Sequence, residues 1–160
     1  MAAGGLVYTA AFENQSVTNA AQDIWEFVAA AGVSILIHSV RVTFSPLIVS
    51  GVSQDVRLRF QMQQRTTTGS GGTAVTPRAV NRRNTVAAAT LTTQLVTTPG
   101  TAGVIWPGAD TISVIVPYER VFTVDQRIPV SGGARWNLTL VATNGALPLS
   151  ASSEVYFEEI

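Results

Sequence analysis

An alternation of period two constrains this chain most, and residues 56–65 carry it most cleanly. Val56, Leu58, Phe60 and Met62 fall on one side, and Arg57, Arg59, Gln61, Gln63 and Arg65 on the other. Successive side chains of a strand point to opposite faces of a sheet, so this spacing predicts a strand with one dry face and one basic, hydrogen-bonding face. The pattern recurs along the chain. In residues 35–45, Leu36, Val40, Val42 and Phe44 share a face against Ser39, Arg41 and Thr43, and Pro46 closes the run. Residues 111–116 set Ile112, Val114 and Val116 inward before Pro117. Residues 135–143 alternate Trp136, Leu138, Leu140 and Ala142 against Arg135, Asn137 and Thr139. Residues 153–159 set Val155 and Phe157 against Glu154, Tyr156 and Glu158.

Shorter runs at 6–12, 23–28, 121–124 and 127–130 also read as strands. Residues 14–19 read as a turn, and Ser131-Gly132-Gly133 reads as a hairpin turn, because glycine reaches positive φ at no steric cost. No stretch has the periodicity of an amphipathic helix. Many short alternating strands with turn signals between them predict an all-β fold, an antiparallel β-sandwich of jelly-roll-like type, with residues 1–160 forming a single domain.

Residues 65–108 interrupt this pattern. They read as one long loop excursion, rich in Thr, Ala and Gly, free of Asp and Glu, with Arg65, Arg78, Arg82 and Arg83 as its only charges. Loops beyond about 12–15 residues in compact domains tend to carry a function or stay disordered. Ordering costs about 1–2 kcal/mol of backbone entropy per residue. The stretch 73–93 is therefore expected to be ordered only against a broad surface: its own sandwich, a sister subunit or another protein.

Composition narrows the function. The formal net charge is zero, which argues against nucleic acid or an anionic membrane as the main partner. All ten basic residues are Arg, the side chain best suited to carboxylate and interface contacts. There is no cysteine, so disulfides, thiolate metal sites and Cys nucleophiles are excluded. Only 12% of residues are charged and mean hydropathy is +0.28. Such a surface is expected to be hidden in an oligomer or an assembly. No apolar run reaches the ~18–20 residues of a membrane helix, and MAAGG lacks the basic start of a signal peptide.

Chemistry is sparse. The one histidine, His38, shares its expected strand face with Leu36 and Val40 and has no Asp or Glu at ligand spacing, so it reads as a core or interface histidine. No GxSxG, HExxH, P-loop or GxGxxG pattern occurs. Glu154 and Glu158 share one strand face, where paired catalytic carboxylates usually come from different elements across a cleft. The chain is expected to be no enzyme, with no catalytic residue, metal or cofactor. Arg78, Arg82 and Arg83 lack interleaved aromatics for base stacking and read as protein-contact residues or a solvated loop. Trp106, Trp136 and Tyr118 are the aromatics that would stack on a sugar, Trp106 being otherwise an anchor for the returning chain.

The order of segments carries a family likeness. It lies in residues 33–44, in residues 56–65 leading into GTAVTPRAVNRRNTVAAAT, and in VPYERVFTVDQRIPVSGGARWNLTLVA followed by EVYFEE. Taken together, and over nearly the whole chain, this resembles the small head decoration (cement) proteins of tailed bacteriophages. It departs from them in the Arg-rich VNRRN. The resemblance implies a β-sandwich or jelly-roll module, commonly trimeric, on the outer surface of the virion, bracing the major capsid protein against internal DNA pressure. The residues expected to touch the capsid or a sister subunit are Leu47, Ile48 and Val49 of an apolar connection, Arg78, Arg82, Arg83, Val86 and Leu91 of the excursion, and Trp106. A carbohydrate- or receptor-binding module of a virion and a self-assembling coat protein are the alternative readings.

Overall fold

The computed structural model describes residues 5–18, 20–46, 57–81, 88–105, 110–113, 116–141 and 149–160. Within them, two antiparallel sheets pack face to face. The first runs in the order β10 (Tyr118–Val121), β3 (Ile35–Pro46), β13 (Leu149–Glu159), β1 (Leu6–Val17) and β6 (Arg78–Ala79), with β11 (Ile128–Val130) also on β3. The second runs β5 (Thr73–Val75), β7 (Leu91–Val96), β2 (Gln22–Val28), β12 (Arg135–Val141), β4 (Arg57–Arg65) and β8 (Ala102–Ile105), with β9 (Asp110–Ser113) also on β4. With β5 to β7 set aside, β1-β13-β3-β10 faces β2-β12-β4-β8. Consecutive strands mostly change sheets, which is the arrangement of a jelly roll. The all-β sandwich expected from the alternation is the fold.

The inner faces meet in one apolar cluster. Trp25, Trp136, Tyr8, Phe27, Phe60 and Phe157 are its largest fully buried members. Phe27 lies edge-on to Phe157 at 5.2 Å and to Trp136 at 5.6 Å, and Phe60 stacks on Tyr118 at 4.6 Å. Each such pair adds about 0.5–1.5 kcal/mol beyond area burial. The buried Trp25 Nε1 donates to Ser153 Oγ, which donates in turn to the Arg41 carbonyl, both at 2.7 Å.

Bulges overturn several local expectations. On β3, Ser39 pairs with Tyr156 but Ile37 with Phe157, so His38 is an extra residue. The phase of the strand flips there: Ile35 and Ile37 are buried with Val40 and Val42, and Leu36 turns outward instead of sharing their face. On β1 the register shifts between Phe12 and Gln15, and Asn14 sits at φ 49. Asparagine tolerates this left-handed conformation, so the expected turn at 14–19 is a bulge and the strand continues to Val17.

Residues 65–108 are not one irregular loop. β7 joins β2, β5 joins β7, β6 joins β1 and β8 joins β4. The described part of the excursion therefore lies on its own sandwich: β5, β6 and β7 widen both sheets on the β1–β2 side, and β8 lies against β4 on the far side. Val116, expected inward, is exposed, and Ile112 is only partly buried; Val114 lies outside the described residues. The expected strand at 121–124 is β10 followed by a short 3₁₀ turn, Val124–Gln126. Ser131-Gly132-Gly133 is a turn with Gly133 at φ 80, but it carries the chain from β11 in one sheet to β12 in the other and closes no hairpin.

Candidate functional site

Part of the outer face of the second sheet, around the end of β4, is polar and buried. An extra residue, Ile24, shifts the β2–β12 register between Asp23 and Trp25. The shift brings Asp23 to the same side as Glu26, where the Asn137 amide donates to both, at 3.0 and 3.2 Å. Arg65, the last residue of β4, grips Asp23 with two parallel hydrogen bonds of 2.9 and 2.8 Å. Thr139 Oγ donates to Asp23 and accepts from Gln63 and Arg65. Asp23 is 0% exposed and Arg65 7%. Two charges out of water are tolerable only with such near-ideal geometry and further hydrogen bonds.

The lid over this layer is the connection 66–72 together with 97–101. Gly69 N donates to Glu26 at 3.1 Å, Arg65 Nη1 donates to the Gly100 carbonyl at 2.8 Å, and Arg135 Nε donates to Thr68 Oγ at 3.0 Å. The two segments approach so closely that a Cβ on Gly100 would stand 1.9 Å from the Thr67 carbonyl oxygen. The Thr/Gly-rich composition of the excursion is thus explained as a cover on its own sheet. Asp23 accepts hydrogen bonds on both oxygens and the layer is closed to solvent, so it clamps the lid and offers no reaction centre. Among the described residues, no group of three His, Asp or Glu side chains is placed to hold a metal.

The outer face of the first sheet is open. His38 Nε2 lies 3.1 Å from Glu158 Oε2, and Arg127 donates to the same oxygen at 3.5 Å. Burial lowers the His38 pKa from its ordinary value, Arg127 lowers it further, and Glu158 opposes both. His38 is therefore a half-buried partner of a carboxylate on a bulge, and no core residue. Thr9 donates to Glu154 at 3.2 Å. Beside this ladder, two clefts of about 380 and 640 Å³ share Ala11, Phe12 and Glu13; Arg41 and Glu154 line the first, Arg78 and Thr76 the second.

The sandwich edges differ in chemistry. β10 carries Glu119 and Arg120, and Arg120 and the buried Tyr118 hydroxyl both donate to Asp110 of β9, at 3.0 and 3.1 Å. β8 carries no charge, and all four of its residues are exposed, Val104 at 63% and Ile105 at 51%. Val116, Val121 and Val124 are also exposed, in or beside the outermost strands of the first sheet on this side.

Of the expected contact residues, the structure places two. Arg78 is exposed on β6 and lines a cleft with Glu13. Leu91 opens β7, is 69% exposed, and belongs to the other sheet. Leu47, Ile48, Val49, Arg82, Arg83, Val86 and Trp106 lie outside the described residues. Trp136 and Tyr118 are buried, which removes both as sugar-stacking platforms. Sequence reasoning did not single out Val104 and Ile105; their signal was a β-branched pair in an uncharged segment. Nor did it single out Asp23 and Glu26, whose shared face depends on a bulge. Comparisons with protein-family models, with curated proteins and with solved structures find no match.

Proposed function

We propose that this chain is a structural virion protein, a head decoration (cement) protein that binds the major capsid protein on the outer capsid surface as an oligomer and stabilises contacts between capsomers. One observation supports this reading best. Many of the chain's charged groups pair within the chain, while one edge of the jelly roll presents exposed aliphatic side chains. Exposed aliphatic side chains of this kind are what a surface that meets another protein offers. Purified protein incubated with undecorated heads is expected to co-sediment with them and to raise the temperature at which they open. Heads that recover no protein and gain no heat resistance defeat the reading. Light scattering at micromolar concentration is expected to give an oligomer, a trimer by the family likeness; a stable monomer defeats that part. The cleft lined by Arg41, Glu13 and Glu154 favours a second reading, a carbohydrate- or receptor-binding module. A glycan array with no hits removes it.

A further inference from the structure

We propose that Thr139 and Gln63 join covalently, the Thr139 hydroxyl forming an intramolecular ester with the side-chain carbonyl carbon of Gln63 and releasing ammonia. The sealed layer of the second sheet admits no outside substrate, but a reaction between its own side chains needs none. Thr139 of β12 and Gln63 of β4 stand on neighbouring strands, where Asn137 pairs with Gln63 and Thr139 with Gln61. Both are buried, as is Asp23 beside them. Gln63 Nε2 stands 2.5 Å from Thr139 Oγ, inside the ~2.7–3.2 Å of an ordinary N–H···O bond. One amide bond of ~1.33 Å joins Nε2 to Cδ, so Cδ lies within about 3.8 Å of that oxygen. Reacting atoms held about 3–3.5 Å apart are in near-attack geometry.

The neighbours supply what this step requires. The chain has no lysine and no cysteine, so a hydroxyl is the nucleophile the layer offers, and a hydroxyl needs a base beside it. Thr139 Oγ donates to Asp23 Oδ1 at 2.5 Å. The other oxygen of Asp23 accepts from Arg65 Nε at 2.9 Å and from Asn137 Nδ2 at 3.0 Å, which fixes the carboxylate with Oδ1 toward Thr139. Arg65 Nη2 lies 3.2 Å from Thr139 Oγ, so its charge stands where the attacking oxygen becomes negative. Asp23 Oδ1 takes the hydroxyl proton as the Oγ–Cδ bond forms and the carbonyl π pair moves onto Gln63 Oε1. When that pair returns, the Cδ–Nε2 bond breaks, and the nitrogen takes the proton from Asp23 and leaves as ammonia. Asp23 ends as the carboxylate it began as, and no oxidant, metal or co-reactant enters. The cover formed by 66–72 and 97–101 keeps water from the ester. The bond ties β4 to β12 across 76 positions of the chain, a closed loop that restricts the unfolded state.

The crosslink is independent of any decoration role. Mass spectrometry of the intact, denatured chain is expected to show wild type one ammonia lighter than its sequence. T139A and Q63A are expected at full sequence mass, and T139S, which keeps the hydroxyl, again one ammonia lighter. Trypsin cuts after Arg59, Arg65 and Arg135, so wild type should yield residues 60–65 joined to residues 136–160. Alkaline hydroxylamine, which cleaves esters and spares amides, should separate the two peptides. Ammonia lost instead at Asn144-Gly145 leaves 60–65 unlinked, and that result counts against the ester. Wild type at full sequence mass, with 60–65 unlinked, overturns the crosslink and leaves Thr139 and Gln63 joined by a hydrogen bond alone. A linked product that persists in T139A or Q63A overturns the assignment to these two residues. The wild-type masses need no substitution, so they stay decisive even where a variant fails to fold.

Discussion

On the second sheet, Asp23, Glu26, Arg65, Asn137 and Thr139 lie beneath the 66–72 and 97–101 segments, whereas on the first sheet Thr9, His38, Glu154 and Glu158 point outward and stay partly wet. Both faces hold a carboxylate against a cation. They differ in what covers them. In the covered layer, removing one partner strands a charge where water cannot reach it. On the open face, water solvates whichever partner is left, and the pair contributes little. The comparison assigns the two faces different tasks: one fastens the excursion to the sandwich, and the other is a surface free to meet solvent or a ligand.

The largest test of this contrast is Asp23→Ala. It leaves Arg65 unpaired and takes an acceptor from Asn137 and Thr139, so stability by urea denaturation should fall by about 3–5 kcal/mol. A loss under about 1 kcal/mol would mean that the layer is as wet as the open face. Next comes Asn137→Ala, which removes the donor shared by Asp23 and Glu26 and is expected to cost about 1–3 kcal/mol. Glu158→Gln, on the open face, should cost no more than about 1 kcal/mol by the same measurement. If it matches Asp23→Ala, the distinction between the faces fails.

The smallest effect concerns pH. Burial, then Arg127, depress the His38 pKa, so the folded chain takes up its proton at lower pH than the unfolded chain does. Between the unfolded value of about 6.5 and the depressed folded value, the unfolded state binds more protons. His38 therefore weakens the fold as pH falls below about 6.5, and its contribution is complete above that. His38→Gln should show a shallower fall of melting temperature on acidification than wild type. Identical slopes would mean that His38 titrates as it does in water.

Some of this was legible in the residues. β4 has the dry and polar faces that its alternation predicts, with Leu58, Phe60 and Met62 buried. β13 likewise buries Val155 and Phe157 and turns Glu154 and Glu158 outward. β3 was misread at Leu36, because one inserted residue at His38 reverses every side chain beyond it. The excursion was misread as irregular, because its strands are short and gain their stability from β1, β2 and β4, not from a pattern of their own. Nothing in the run 23–28 marks Glu26, whose partners Gly69 and Asn137 reach it only through the fold.

Period-two alternation and turn chemistry are local, so the residues alone determined an all-β chain of two-faced strands. Which polar face would be sealed and which would stay partly wet was decided only in the tertiary structure. Both depend on pairings between segments far apart in the chain, Leu6 with Glu159 and Arg65 with Asp23 among them. Bulges at His38 and Ile24 then set which side chains those pairings bring together. A bulge leaves no mark in hydrophobic periodicity except a break in phase, and a turn leaves the same mark.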